Sequence, residues 1–383
     1  MRHTFAIFVL LCLSFFLSPF AYAIENPLAV NNNKIGIHIL FPDEIDKAAQ
    51  LINSNGGDWG YVVIPIQSGD KDINKWQAFF DKAKKLHVIP IIRLATEGDY
   101  FNTKVWRIPT DADVLDFANF LNSLSWPTKN RYIIVYNEVN RGDEWGGVPD
   151  PSAYAQILSY ASDVFKQRSQ DFFIISAGMD NAAATTPTSM NEYQYLAAMN
   201  TAVPGVFDKI DGIGSHSYPN PAFSQPPTAI SPMGVASFQF EKNLIEGHAK
   251  ADLPVFITET GWDQHVVGEQ TAGSYLSTAL QNVWSRNDIV VVAPFLLQAG
   301  GGPFVQFSFL GPDGAPNLVS KALMSIPKEK GAPIASFSST VLAAAVTTKS
   351  VPDKTFENSQ QNSLTTLVAY DVKTVLKWLL HLQ

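Results

Sequence analysis

Cysteine is almost missing from this chain of 383 residues: the single one, Cys12, lies inside an apolar N-terminal run. The rest of the chain therefore has no disulfide framework and no thiol nucleophile. After position 23 there is no Asn-x-Ser/Thr acceptor, so N-linked glycosylation has no site there. Charge is sparse, with 16% charged residues, a net charge of -8 and no basic run. That balance argues against nucleic acid as the main partner. No H-E-x-x-H pairs its histidines, and no G-x-G-x-x-G follows the first apolar segment. A metal-dependent hydrolase and a dinucleotide enzyme both lose their usual signatures. Gly300-Gly301-Gly302 lacks the Lys and Ser/Thr of a phosphate loop and reads as a lid segment. No cofactor and no metal is expected.

What is present begins with the leader. Arg2 and His3 precede an apolar run from Phe5 to Leu17, which closes on Ala21-Tyr22-Ala23. The run is short for a membrane span of about 20 residues, and small-x-small marks a cleavage site. Residues 1–23 thus read as a signal peptide, and the protein as secreted or cell-surface. Hydrophobic residues make up 46% of the chain, enough for one large core over 24–327. From 328 to 383 the composition turns Ser/Thr-rich and ends in an amphipathic, basic "VAYDVKTVLKWLLHLQ". One reading packs that last segment on the body of the protein; the other lays it in a membrane interface. The protein is expected to be a monomer.

Between these ends, eight apolar runs alternate with amphipathic ones. The strands read as 34–40, 59–67, 88–95, 132–138, 172–179, 210–218, 254–262 and 289–298, near-continuously apolar, as for parallel strands buried on both faces. Helices are signalled by Pro42-Asp43, with Ile45, Ala48, Ala49 and Ile52 on one face, and by Val114, Leu115, Phe117, Ala118 and Leu121 on another. Asp150 before Pro151 is a cap followed by a first-turn proline. Eight strand–helix units make an α/β chain of the (β/α)8 TIM-barrel class.

In such a barrel, chemistry sits at the C-terminal strand ends. Those ends offer His38, Arg93, Asn137, Glu138, His216, Tyr218, Glu259, Gln298 and, just past the seventh, Trp262. Glu138 and Glu259 close strands four and seven, which lie across one barrel mouth. Two carboxyl groups about 5–5.5 Å apart suit retaining glycoside hydrolysis, one as acid/base and one as nucleophile. At that separation and an effective dielectric of ~20, two negative charges repel by roughly 3 kcal/mol, which favours one proton on the pair. Asn191-Glu192 repeats the dipeptide but precedes a helical pattern and reads as a cap. Glu144, Trp145 and Phe223 lie in rim loops, where aromatic faces could stack on sugar rings.

"IVYNEVN", "VFITETGW" and "GSHSYPNP" resemble glycoside hydrolase clan A, with likenesses to families 5, 17, 39 and 53. The resemblance covers the barrel and implies Glu138 as acid/base and Glu259 as nucleophile. It implies Asn137 at the sugar 2-hydroxyl, His216 and Tyr218 as a strand-six His-x-Tyr match, and Tyr218 beside the nucleophile. His38, Arg93, Trp262 and Gln298, by their places at the strand ends, and Trp145, in its rim loop, are the further substrate-binding candidates. Two departures stand out: Val139 follows where family 5 has Pro, and strand eight lacks the usual Trp. The expected partner is a carbohydrate. The contrasting expectation is a non-catalytic carbohydrate-binding or surface protein on the same barrel.

Overall fold

A computed structural model describes residues 24–96, 105–249 and 252–336. The expected signal peptide and the amphipathic C-terminal segment lie outside the described residues. Eight strands form: β1 (Gly36–His38), β2 (Gly60–Gln67), β3 (Val88–Ala95), β4 (Arg131–Ile134), β5 (Phe172–Ile175), β6 (Ile213–His216), β7 (Val255–Glu259) and β8 (Ile289–Val292). All pair in parallel, β1 to β5 in order and β6 to β8 in order. Single bridges Ile175–Gly212 and Ile35–Val292 join the two sets and close the ring. The (β/α)8 expectation therefore holds, although most strands are shorter than their apolar runs.

The helices are α1 (Ile45–Ile52), α2 (Ile73–Lys85), α3 (Asp111–Ser123), α4 (Pro151–Arg168), α5 (Glu192–Ala202), α6 (Ser237–Glu246), α7 (Glu269–Asn282) and α8 (Leu318–Ser325). Side-chain caps fix their starts: Asp150 accepts from Ser152 and Ala153, and Asn191 from Tyr193 and Gln194. In α3 the buried stripe is Val114, Phe117, Ala118 and Leu121, whereas Leu115 is 36% exposed. Leu115 falls off the i, i+3, i+4, i+7 row that meets the sheet. Among the described residues, no helix is long and apolar enough to cross a membrane.

Strands buried on both faces separate two cores. Outside, helix stripes pack on the sheet. Inside, Tyr132, Phe173 and Phe256 stack within 5.0–5.6 Å of one another and fill the lower barrel. Each such buried ring contributes about 2 kcal/mol, and together they leave only the upper mouth open for polar groups.

The composition changes after Pro327, yet the chain stays on the barrel floor beyond it. Lys330 bridges Asp58, Ala335 bridges Thr128, and Ala332 N donates to Asn31 O at 2.8 Å. The N-terminal segment meets the same floor, where Glu25 and Asn130 exchange hydrogen bonds of 2.9 and 2.8 Å. The compact unit ends at Ser338.

Candidate active site

The ladder of β4 stops at Ile134, before the residues of interest. Tyr136 and Glu138 then take φ of 69° and 35°, a region that non-glycine residues seldom adopt. Glu138 N donates to Gly178 O at 3.0 Å, which pins this irregular turn to the strand-five side. Asn137 Oδ1 is buried and has no hydrogen-bond partner among the described residues. An orphaned buried acceptor is costly, and a donor arriving with a ligand would satisfy it.

Glu259 closes β7 and is 7% exposed. Its pairing partner His216 closes β6 after a register shift at Ser215/His216, which turns the imidazole into the barrel mouth. His216 Nδ1 lies 3.0 Å from Glu138 Oε1 and 3.8 Å from Glu259 Oε2. One oxygen of each glutamate and this nitrogen all fall within 4.8 Å of one another. Burial alone would lower the His216 pKa, but the carboxylates of Glu259 and Glu138 outweigh it and raise it. The imidazole bridges the two acids. Gly178 makes room for it, since a Cβ there would stand 2.1 Å from His216 Cδ2.

Two further side chains lie against Glu259, and one of them hydrogen-bonds to it. The Tyr218 phenol donates to Oε2 at 3.0 Å. His38 Nε2 approaches Oε1 at 3.5 Å from beneath. Full burial, then Arg93 and His216, push the His38 pKa well below its ordinary value, so this ring is neutral. The trio Glu138, His216 and Glu259 is also the grouping of potential metal ligands among the described residues. Its hydrogen bond at 3.0 Å already joins two of the donor atoms to each other.

The cleft above these groups encloses about 1500 Å³ and has two unlike walls. Tyr218, Phe223, Phe295, Phe304 and Phe307 form the aromatic one. Arg93, Arg141, Asp143, Glu144 and Asp180 form the polar one. Arg141 binds Glu138 at 3.3 Å, Asp143 at 2.5 Å and Asp180 at 3.7 Å. Burial and the nearby Glu138 raise the Glu144 carboxyl to about 7 and push Asp180 upward.

Several sequence expectations need correction here. Trp262 lies outside the cleft, 3% exposed, with its indole donating to Gln225 O and its ring against Tyr275 and Trp284. Gly261, at φ 155°, turns the chain so that the indole enters the layer behind the sheet. Gln298 is also outside, donating to Gly311 O and accepting from Lys47. Trp145 borders the cleft but is fully buried, edge-on between Tyr136 and Tyr154, so no face is open for stacking. His38 supports Glu259 from below and does not line the cleft. Sequence reasoning missed Phe295, which stands where strand eight lacks Trp, and Asp180, a polar residue past strand five that the strand-end rule could have found.

By fold the chain is a (β/α)8 barrel. No protein-family model matches it, and no curated protein matches it in sequence. Its structure is similar to a family 39 glycoside hydrolase from the gut symbiont Bacteroides cellulosilyticus, at 18% identity and TM-score 0.52. That match covers 79% of this chain and 64% of the other, so the chain spans under two thirds of that enzyme. A family 39 β-xylosidase from Caulobacter crescentus matches at 14% identity and TM-score 0.56, over 80% of this chain and 72% of that one. A fungal β-1,4-galactanase matches at 11% identity and TM-score 0.54, over 77% of this chain and all (100%) of its own.

Proposed function

We propose that the protein is a secreted retaining glycoside hydrolase that cleaves β-O-glycosidic bonds of a polysaccharide or glycoconjugate. The observation that carries this is the approach of Glu138 and Glu259 within 4.8 Å across one cleft, both fixed by His216. That proximity belongs with the short carboxyl separation of about 5–5.5 Å used for direct attack by one acid, and not with the roughly 6.5–9.5 Å of inverting enzymes. The barrel likeness to glycoside hydrolases supports the same reading, and the leader at 1–23 supports secretion.

In the first step Glu138 gives its proton to the glycosidic oxygen as the C1–O bond breaks. Glu259, aimed by Tyr218, attacks C1 and forms a glycosyl ester while the protonated leaving group departs. Glu138, now a carboxylate, takes a proton from water, whose oxygen attacks C1 and expels Glu259. Two inversions give net retention. His216 offsets negative charge on whichever acid bears it. The unpartnered Asn137 Oδ1 accepts from a sugar hydroxyl, the 2-hydroxyl by resemblance to the clan.

Glu259→Ala is expected to cut hydrolysis of an aryl β-glycoside by about a thousandfold or more. Added azide then restores turnover and gives a glycosyl azide of inverted configuration, read by NMR. Full activity in Glu259→Ala would sink the assignment. Glycan binding without any turnover would instead favour a carbohydrate-binding protein.

A further inference from the structure

The catalytic cleft does not use the whole barrel mouth. No residue of the β1 and β2 ends lines it; a separate hollow of about 690 Å³ opens there, bounded by Leu40, Phe41, Pro42, Pro65, Gln67, Asp70, Lys75 and Trp76. Phe41 is 55% exposed, and among the described residues no other aromatic side chain is more than half exposed. Its exposure is not that of a loose loop. Glu44 Oε2 accepts from both Leu40 N and Phe41 N at 2.8 Å, which fixes the backbone that presents the ring. The ring is thus held facing water at the edge of the hollow, a placement ready for a flat apolar ligand face.

The chemistry around it selects the cover. Flat apolar surface comes from Phe41, Pro42 and Pro65. Polar edges come from Gln67, whose side-chain amide makes no hydrogen bond among the described residues, and from Asp70 and Lys75. Those two are paired with each other at 2.5 Å, so the hollow offers donors and acceptors with no net charge. Flat apolar faces edged by hydroxyls describe a neutral sugar ring. A uronate or an amino sugar would find no opposite charge to spare. Leu40 joins this hollow to the cleft, because its other side packs on the cluster of Tyr218, Phe295 and Phe307 that walls the catalytic glutamates.

We propose that the hollow at Phe41 is a second sugar-binding subsite, which takes a neutral residue of the same glycan chain at a distance from the bond being cut. The substrate is then a polymer laid across the barrel mouth. This rests on the hydrolase reading above, and the test separates the two.

Whole protein, with Phe41→Ala and Phe41→Trp variants, would be assayed on β-1,3-glucan, β-1,4-galactan and β-1,4-xylan oligosaccharides from dimer to octamer. Affinity electrophoresis in gels holding the same soluble glycans measures binding without turnover. For the glycan that is cleaved, the long-to-short ratio of kcat/KM should fall about tenfold in Phe41→Ala, equivalent to the loss of one good stacking contact. Phe41→Trp should keep the ratio, and gel retardation should weaken only in Phe41→Ala. An unchanged ratio and unchanged retardation would overturn the subsite while leaving the hydrolase intact. Retardation lost in Phe41→Ala with no glycan cleaved by any form would keep the subsite and remove the hydrolase. Neither binding nor cleavage of any of these glycans would remove both.

Discussion

At the scale of single residues, two side chains face the two oxygens of Glu259. Tyr218 donates to one oxygen at 3.0 Å, and His38 approaches the other at 3.5 Å. A hydrogen bond to a charged group contributes roughly 1.5–3 kcal/mol. Tyr218→Phe keeps the ring that packs on Phe223 and Phe307 but removes the donor. We expect kcat on an aryl β-glycoside to fall about tenfold or more, with KM much less affected. A wild-type kcat in this variant would show that the phenol does not aim the nucleophile. The strand-end acids were readable in the sequence because an apolar run that stops at a Glu is a strong local signal. Side-chain direction was not readable. Trp145 and Trp262 flank the site in sequence, yet both rings point into packed layers, because a one-residue turn of backbone decides which face an aromatic enters.

At the scale of elements, α5 and α6 bring an unusual pair together behind β6. Glu192 and Glu241 are 2% and 1% exposed and lie close enough for each acid to act on the other. Glu241 Oε1 also accepts from Ser215 Oγ at 3.0 Å, next to His216 in sequence. Burial raises both pKa values, with the neighbouring acid adding to the effect on Glu192. Both acids therefore hold their protons more tightly in the folded state than in the unfolded chain, which releases them near 4.5. Stability from this pair is fully present below about 4.5 and is lost as pH rises through about 7, where Glu241 ionises. Melting temperature should fall by about 5 °C between acid and alkaline ends of that window. Glu241→Gln should flatten the slope; an equal slope in that variant would place its origin elsewhere. The sequence identified Asn191 as a cap but not the fate of Glu192. Nothing local to a helix start reveals which acid from another helix will meet it.

At the scale of the whole molecule, the strand count and the barrel class were legible because strands buried on both faces leave continuous apolar runs. Their true lengths were not. β4 ends at Ile134, and the catalytic turn departs from the ladder in conformations that no apolar pattern encodes. The floor was also hidden, because 328–336 is polar and Pro-containing yet pairs with Asp58, Asn31 and Thr128. A chain cut after Pro327 should lose these bonds and melt at least several degrees lower than one cut after Ser338. Equal melting curves for the two would show that the floor segment adds nothing.

That floor has a further meaning in a chain whose one cysteine, Cys12, lies in the apolar N-terminal run. Ala332 hydrogen-bonds to Asn31, so positions from opposite ends of the barrel sequence meet. The barrel is in effect cyclised without a covalent link. Restraining the ends of so long a loop is what a disulfide would otherwise do. Here the restraint is made of main-chain hydrogen bonds. Unlike a disulfide it gives way when the chain unfolds, and a reducing environment leaves it untouched.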